Sequence, residues 1–527
     1  MEPDFSKLLL PPDIQAQLLF AQASAHHQKD ELDLARGLYD KVLAVLPANG
    51  ETLRLRGLVD LQAGDSAGAL AFFQRFAEVD AGNADAHFHV GLAHQQAQRC
   101  EAAVDALDRA IALMPDFAAA HNNRGLALRT PDRLDEALAA LDRAVGLKPG
   151  FHEAHNNRGL VLFDLHRHAA ALRAFEKAIA LSPGYAAAYN NRGNVWHIMG
   201  RSQDALVDYD RALALAPDHA EAHHNRAVAF ADMNQHEAAI AGYDTALKCN
   251  PNYAFVSGAR LFQKLLICDW HNLDAELAAA VAGIRRGEAV IEPLAGLSLL
   301  SSLADQRKAA EIWTAARNPA RAAAMPAYAP RKKLRIGYFS PDFRNHPVAT
   351  LTAGLFEAHD RDAFEVIGFS FGRPSDDAMR RRLTAAFDQF HDIAAMSDAE
   401  VVARARALEI DIAVDLTGYT QDCRPNIFAR RAAPIQISYL GFPGTMGAPF
   451  IDYMVADHTV VPRAPAMCMR KRSSRCRTIR RTTGRVRYPT RHSRAAIGVC
   501  LPKASSFAVS ITTASSPRRF STGGCVF

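Results

Sequence analysis

Prolines at Pro115, Pro149, Pro183, Pro217 and Pro251 stand 34 residues apart, and the same step taken backwards passes through Ala81 to Pro47. A small residue keeps the same step at Ala23, Gly57, Gly91, Gly125, Gly159, Gly193 and Ala227. Alanine follows twelve positions on, at Ala35, Ala69, Ala103, Ala137, Ala171, Ala205 and Ala239. A third register, Ala110, Ala144, Ala178, Ala212 and Ala246, precedes each proline. Small residues at fixed spacing mark points where two helices touch, and the proline ends the second helix because it cannot continue the hydrogen-bond ladder. The period predicts about seven helical hairpins over residues 16–253, after an N-terminal segment of residues 1–15.

This pattern resembles the tetratricopeptide repeat. One such hairpin cannot bury its apolar face alone, so neighbours stack into an α-solenoid with a long concave groove. The resemblance implies partner binding, because this fold binds extended peptides far more often than it catalyses; repeat identity carries function no further.

Composition bounds the remaining classes. Of 527 residues, 49% are apolar and 22% charged, an ordinary globular balance. The N-terminus, MEPDFSKLLLPPD, has an early acid and two prolines, so no signal peptide is expected. No apolar run reaches the roughly 18 to 20 residues that span a bilayer, so the expectation is a cytoplasmic protein with no membrane partner. The net charge of +5 hides an asymmetry: residues 1–462 carry 46 basic and 56 acidic groups, whereas residues 463–527 carry 15 basic groups and no acid. Half of the eight cysteines, Cys468, Cys476, Cys500 and Cys525, also lie in that tail, with spacings that suggest neither a zinc site nor a disulfide framework.

Four consecutive repeats read AHNNRG, AHNNRG, AYNNRG and AHHNRA, placing Asn123, Asn157, Asn191 and Asn225 at one register. Asparagine is a mediocre helix former, so its repetition needs a reason. A row of carboxamides can hydrogen-bond the backbone of an extended peptide in the groove, or it can cap and cross-link neighbouring helices. The two uses are compatible. His121, His155 and His223 share a register as well, and without acidic or cysteine partners they read as groove surface rather than metal ligands.

After Tyr253 the period is lost. Residues 254–330 read as further helices ending in the linker NPARAAAMPAYAPRKK. From Leu334 short β-type runs (LRIGYFS, FEVIGFSF, DIAVDLTGY, IQISYLGF) alternate with helical ones, which predicts βαβ units and a parallel, doubly wound sheet. Ligands of such sheets sit beyond the C-terminal strand ends. Three loops there are polar or glycine-rich: SPDFRNHP with Asp342, Asn345 and His346; DLTGYTQDCR with Asp415, Thr417, Tyr419 and Thr420; LGFPGTMG with Gly441, Pro443, Gly444 and Thr445.

Together with CDWHNLDAEL and APIQISYLGFPGTMGAPFIDY, these motifs resemble the bacterial SPINDLY-like branch of the protein O-linked N-acetylglucosamine transferases, from about residue 16 to Val461. The resemblance implies a metal-independent inverting glycosyltransferase of GT-B architecture, with no cofactor, that moves a sugar, N-acetylglucosamine, from a UDP-sugar to Ser or Thr of proteins. It makes residues 331–461 the N-terminal, Rossmann-like half of the GT-B domain. It places His346 in the active-site position, Thr420 and Gly444 near the donor sugar and phosphates, and the asparagine ladder along the acceptor protein. Asp415 joins His346 as a catalytic candidate for its strand-end position, and Tyr419, Gly441, Pro443 and Thr445 join the donor-binding loops.

The resemblance implies a second lobe that holds most of the nucleotide, and the sequence after Val461 is not expected to form it. Residues 462–527 are arginine-rich and aperiodic. A nucleic-acid arm is one account of such a tail. A shifted reading frame explains more: MRKRSSRCRT, read two bases later, can spell AEKVVALPD, and the end of the chain can give a segment like the start of the missing lobe. The expectation is a frameshift near residue 462, an unstructured tail with no nucleic-acid role, and a chain that binds protein but transfers no sugar. A non-catalytic tetratricopeptide scaffold is the alternative.

Overall fold

The computed structural model describes residues 11–130, 132–320, 325, 328, 329, 331–455, 495, 496, 512 and 513. The basic tail and the frameshift expected near residue 462 lie outside these residues, apart from a two-residue antiparallel pairing of Ala495–Ala496 with Thr512–Thr513. The chain divides at Met199 and Gly200 into two compact units.

The first unit is a stack of helical hairpins: Pro12–Gln28 with Leu32–Val45, Gly50–Gln62 with Ser66–Val79, Ala84–Gln96 with Cys100–Leu113, Ala118–Ala127 with Leu134–Leu147, and His152–Asp164 with His168–Leu181, followed by the helix Ala186–Ile198. The periodic alanines Ala35, Ala69, Ala103, Ala137 and Ala171 are each fully buried. The small register has a partner sixteen residues on. A Cβ on Gly57 would lie 2.4 Å from the ring of Phe73, one on Gly125 2.5 Å from Leu141, and one on Gly159 2.6 Å from Phe175. The glycine-bearing hairpins therefore close by pressing one large side chain onto bare backbone, the dense packing that core stability requires, while the first hairpin buries Tyr39 beside Ala23.

Polar registers tie the repeats together. Arg56 pairs with Asp40 at 2.7 Å, Arg124 with Asp108 at 2.5 Å and Arg158 with Asp142 at 2.5 Å, each across a 16-residue step from one hairpin to the next. The part-exposed pairs of Arg124 and Arg158 contribute only about 0.2 to 1 kcal/mol apiece, so they fix register more than stability, whereas Arg56 is buried and pairs also with buried Asp60. His121 and His155 hydrogen-bond the carbonyls of Pro115 and Pro149 at 3.0 Å, which satisfies an oxygen at the end of the preceding helix. His223 does the same to Pro217 in the second unit. These imidazoles anchor turns; their register reflects the turn carbonyl six residues upstream, which His87 meets at Ala81, without a proline, at 3.2 Å.

The second unit begins with Ser202–Leu215 and the hairpin of Ala220–Asp232 and His236–Cys249. The sequence period fades after Tyr253, yet the stacking continues through Val256–Leu266 and Leu273–Arg286. Arg260 repeats the 16-residue step by pairing with Asp244 at 2.5 Å, and then reaches forward to Glu276 at 2.5 Å. Helices Pro293–Leu299 and Leu303–Arg317 follow and lead to the sheet.

That sheet has six parallel strands: β1 (Leu334–Ser340), β2 (Phe364–Ser370), β3 (Gln389–Asp392), β4 (Ile412–Asp415), β5 (Ile435–Tyr439) and β6 (Tyr453–Val455), in the order β3-β2-β1-β4-β5-β6. The chain winds outward in both directions from β1 and β4, which pair from Ile336 with Ile412 to Phe339 with Asp415. Buried apolar residues line both faces; Phe339 and Phe369 stack with ring centres 4.4 Å apart on one of them. The fold is the expected α-solenoid followed by an α/β Rossmann-like lobe. Among the described residues no helix is long and apolar enough to cross a membrane.

Candidate functional site

The order of strands reverses between β1 and β4, and in open parallel sheets a ligand crevice forms there, beyond the carboxyl ends of the strands. Asp415 is the last residue of β4. Its Oδ1 accepts the backbone N–H groups of Thr417 at 2.9 Å and Gly418 at 3.1 Å, so the carboxylate folds the following turn back onto the strand end. Burial pushes its pKa up to about 6, against the opposing pull of those two N–H groups.

A folded-state pKa above the ordinary value of 3.8 means that the folded protein holds this proton more tightly than the unfolded chain. The stability it contributes is therefore present below about pH 4 and lost as pH rises through about 6, by about 3 kcal/mol. Asp415→Asn keeps an oxygen for Thr417 and Gly418 but does not titrate. Between pH 4.5 and 7.5 about 2 kcal/mol of this is lost, because the unfolded carboxyl is already mostly ionised at pH 4.5, and urea unfolding at the two pH values is expected to show the variant gaining on the parent by about 2 kcal/mol at the higher pH; parallel curves would contradict it.

His346 comes from the loop after β1. It begins the helix Pro347–Glu357, where its Nδ1 accepts the N–H of Val348 at 3.3 Å. Asp342 Oδ2 lies 3.5 Å from the same nitrogen. Asp342 is mostly buried, and desolvation pushes its pKa up while His346 and Arg344 pull it down. With Nδ1 capping Val348, the hydrogen of a neutral ring is on Nε2. With Nδ1 protonated and turned to Asp342, Nε2 presents a lone pair, the state that a proton acceptor needs. In sequence Asp342 reads only as one polar residue of the β1 loop; its spacing of four from His346 brings it to the imidazole only because the loop turns between them.

Backbone closeness holds the loops together. A Cβ on Gly441 would lie 1.9 Å from the carbonyl oxygen of Leu416, and one on Gly372, after β2, 1.8 Å from that of Pro341. The β5 loop thus rests on the β4 loop, and the β2 loop on the β1 loop. The Thr420 hydroxyl donates to the carbonyl of Thr417 at 3.1 Å, and Thr417 itself is buried with a hydroxyl that has no partner among the described residues.

The other expected donor residues differ in placement. Pro443 is exposed, Gly444 is half-buried against Leu297, and Thr445 accepts the N–H of Gly447 at 3.3 Å. Tyr419 points inward: its hydroxyl meets Thr314 Oγ1 at 2.5 Å, and its ring lies 4.5 Å from that of Trp313. Thr314 also donates to the carbonyl of Met446 at 3.1 Å, so the helix Leu303–Arg317 joins the β4 and β5 loops from behind. No sequence signal linked that helix to the site, because the contacts span more than 100 residues.

Among the described residues no group of three or more His, Cys, Asp and Glu is gathered to hold a metal. The asparagines lie on the solenoid. Asn157 donates to Asn122 at 2.9 Å and Asn191 to Asn156 at 2.9 Å, each across a repeat boundary, while Asn123 donates to the carbonyl of Ala119 within its own helix. Asn225 sits on the helix Ala220–Asp232 in the second unit. Asn157 and Asn191 thus cross-link the repeats, through the buried neighbour register at Asn122 and Asn156.

Comparison with known proteins agrees with this division. Residues 314–474 match glycosyl transferase family 41, and tetratricopeptide repeat models match residues 54–112, 91–151, 152–185, 186–219 and 220–253. The probable UDP-N-acetylglucosamine-peptide N-acetylglucosaminyltransferase SEC of Arabidopsis thaliana is 42% identical over 131 residues, 25% of this chain and 13% of that protein. The UDP-N-acetylglucosamine-peptide N-acetylglucosaminyltransferase of Caenorhabditis elegans is 36% identical over 132 residues, 25% of this chain and 12% of that protein. The chain thus matches less than a sixth of the length of these relatives. A mutant of the Thermobaculum terrenum O-GlcNAc transferase aligns with 25% identity over 69% of this chain and 57% of its own, at a TM-score of 0.31. The chain is a tetratricopeptide-repeat protein with a glycosyl transferase family 41 domain.

Proposed function

We propose that this chain supplies the acceptor-binding solenoid and the first catalytic lobe of a protein O-linked N-acetylglucosamine transferase. In this reading a UDP-sugar lies beyond the C-terminal ends of β1, β4 and β5, and its sugar passes to a Ser or Thr hydroxyl of a protein substrate. The observation that carries it is the pairing of His346 with Asp342 at the strand-order switch, inside the segment that matches family 41.

An inverting transfer needs the acceptor proton removed as the sugar–oxygen bond forms, and needs the leaving diphosphate stabilised. His346 takes the first task, with Asp342 steadying the imidazolium. Asp415 shapes the loop that carries Thr417 and Thr420 toward the donor, and Gly441, Pro443, Gly444 and Thr445 form the facing loop. Of the charged groups in these loops, Arg344 pairs with Asp342, 3.7 Å away, and we assign the diphosphate to a second lobe, as GT-B architecture implies. In this reading the asparagine ladder contacts the acceptor through its part-exposed members Asn123, Asn191 and Asn225 more than through Asn157, which is buried and whose Oδ1 accepts the Asn156 amide at 3.4 Å.

The test is transfer of labelled N-acetylglucosamine from UDP-N-acetylglucosamine to protein, by the chain alone and by the chain joined after Val455 to a family 41 second lobe. Transfer is expected in the joined protein. Its absence there, with both parts folded and the donor bound, would leave a binding scaffold and defeat the reading.

A further inference from the structure

The groups that fix the His346 loop from outside it lie 30 residues downstream, where the helix Ala378–Ala386 begins. Asp377 is the residue at which that helix starts, and its Oδ1 accepts the N–H of Arg380 at 2.8 Å, an ordinary helix cap. Its second oxygen faces away from the helix. Oδ2 accepts the backbone N–H of Asn345 at 2.9 Å and the hydroxyl of Ser375 at 2.5 Å. Asn345 is the residue immediately before His346.

One turn later, Arg380 reaches the same loop. Its Nη1 donates to the carbonyl of Phe343 at 3.3 Å and to Ser370 Oγ at 2.7 Å, and its Nη2 pairs with Asp392 at 2.5 Å. The guanidinium lies 4.2 Å over the ring of Phe390. The Phe343 carbonyl thus accepts one bond from a single helical turn and the Asn345 N–H donates one to it, and the arginine is anchored by the ends of β2 and β3. Between Asp342 and His346, the loop has two fixed points.

Resting on the assignment of His346 above, we propose that Asp377 is a positioning residue for that assignment: with Arg380 it clamps the loop so that the imidazole of His346 is held against Asp342. A cap needs one carboxylate oxygen; the second is spent on the loop. The ligands of Asp377 hold its carboxyl down to about 2, led by the Ser375 hydroxyl and then the Asn345 N–H, so the clamp stays charged over the working pH range.

Asp377→Ser separates the two uses, because serine caps helices as well as aspartate but is too short to reach Asn345. Asp377→Asn is the second variant, isosteric and still able to accept the N–H of Arg380. Hydrogen exchange of the full-length chain, read by mass spectrometry, is expected to show the Asn345 amide exchanging at least about tenfold faster in both variants, since a charge-assisted bond is lost. Amides of residues 381–386 are expected to keep their protection. Carbethoxylation of His346 should accelerate relative to His121, whose turn is untouched. Unchanged exchange at Asn345 overturns the clamp; faster exchange with unchanged carbethoxylation of His346 overturns its bearing on the imidazole. Neither readout uses sugar transfer, so a failure of His346 as proton acceptor appears separately, in turnover.

Discussion

Gly441→Ala is expected to cost the second unit about 3 kcal/mol, the upper part of the range for forcing atoms into a packed interior. The added carbon would stand 1.9 Å from the Leu416 carbonyl oxygen, where about 3.2 Å is the closest comfortable approach. A flexible side chain could swing away; Leu416 is backbone, fully buried and fixed at the end of β4 by its N–H bond to the Phe339 carbonyl at 3.1 Å. Relief therefore requires the β5 loop to lift off the β4 loop. The melting transition of the unit should fall by roughly 6 to 12 °C on the usual scaling. Gly296→Ala is the control: its nearest neighbour would be 3.4 Å away, an ordinary contact inside a helix, so no loss is expected. Differential scanning calorimetry of both variants checks this, and a Gly441→Ala protein as stable as the parent would show that the two loops are not in contact.

The contrast between Gly441 and Gly57 shows what sequence could carry. The 34-residue period exposed Gly57 as a helix-crossing glycine, because seven copies of one environment repeat one constraint. The Arg–Asp pairs at a step of 16 were written in the same period, and the unequal residue at Glu176 and the valine at Val90 hid them. Gly441 was legible only as part of a glycine-bearing loop; that its necessity comes from Leu416, 25 residues earlier, is a property of neighbouring strands. The polar, half-exposed β3 (QFHD) and the three-residue β6 lacked the apolar run that revealed β1, β2, β4 and β5. Tyr419 reads as a polar loop residue beside Thr420, but Trp313 and Thr314 draw it inward from one of the helices that the sequence places between the repeats and the linker. Loop ends at a strand-order switch can be placed from topology, whereas the partners that orient side chains within those loops are set by tertiary contacts alone.

His346→Asn is expected to lower sugar transfer by about 100- to 10 000-fold in the protein joined to a second lobe, the usual contribution of a positioned general base. Asparagine is among the best helix-starting residues, so Pro347–Glu357 keeps its N-terminus and the loop its clamp at Asn345. What disappears is the nitrogen that can take a proton while Asp342, 3.5 Å away, balances the resulting charge. Donor affinity should change little, because the imidazole acts on the acceptor hydroxyl, and the loss should therefore fall on kcat rather than on KM for the UDP-sugar. Asp342→Asn leaves the imidazole in place but removes its counter-charge, and a smaller loss in kcat is expected. If His346→Asn retains transfer within about threefold of the parent, proton removal by His346 is excluded. The carboxyl of Asp415, raised to about 6 and able to accept a proton once ionised, is then the group to test next.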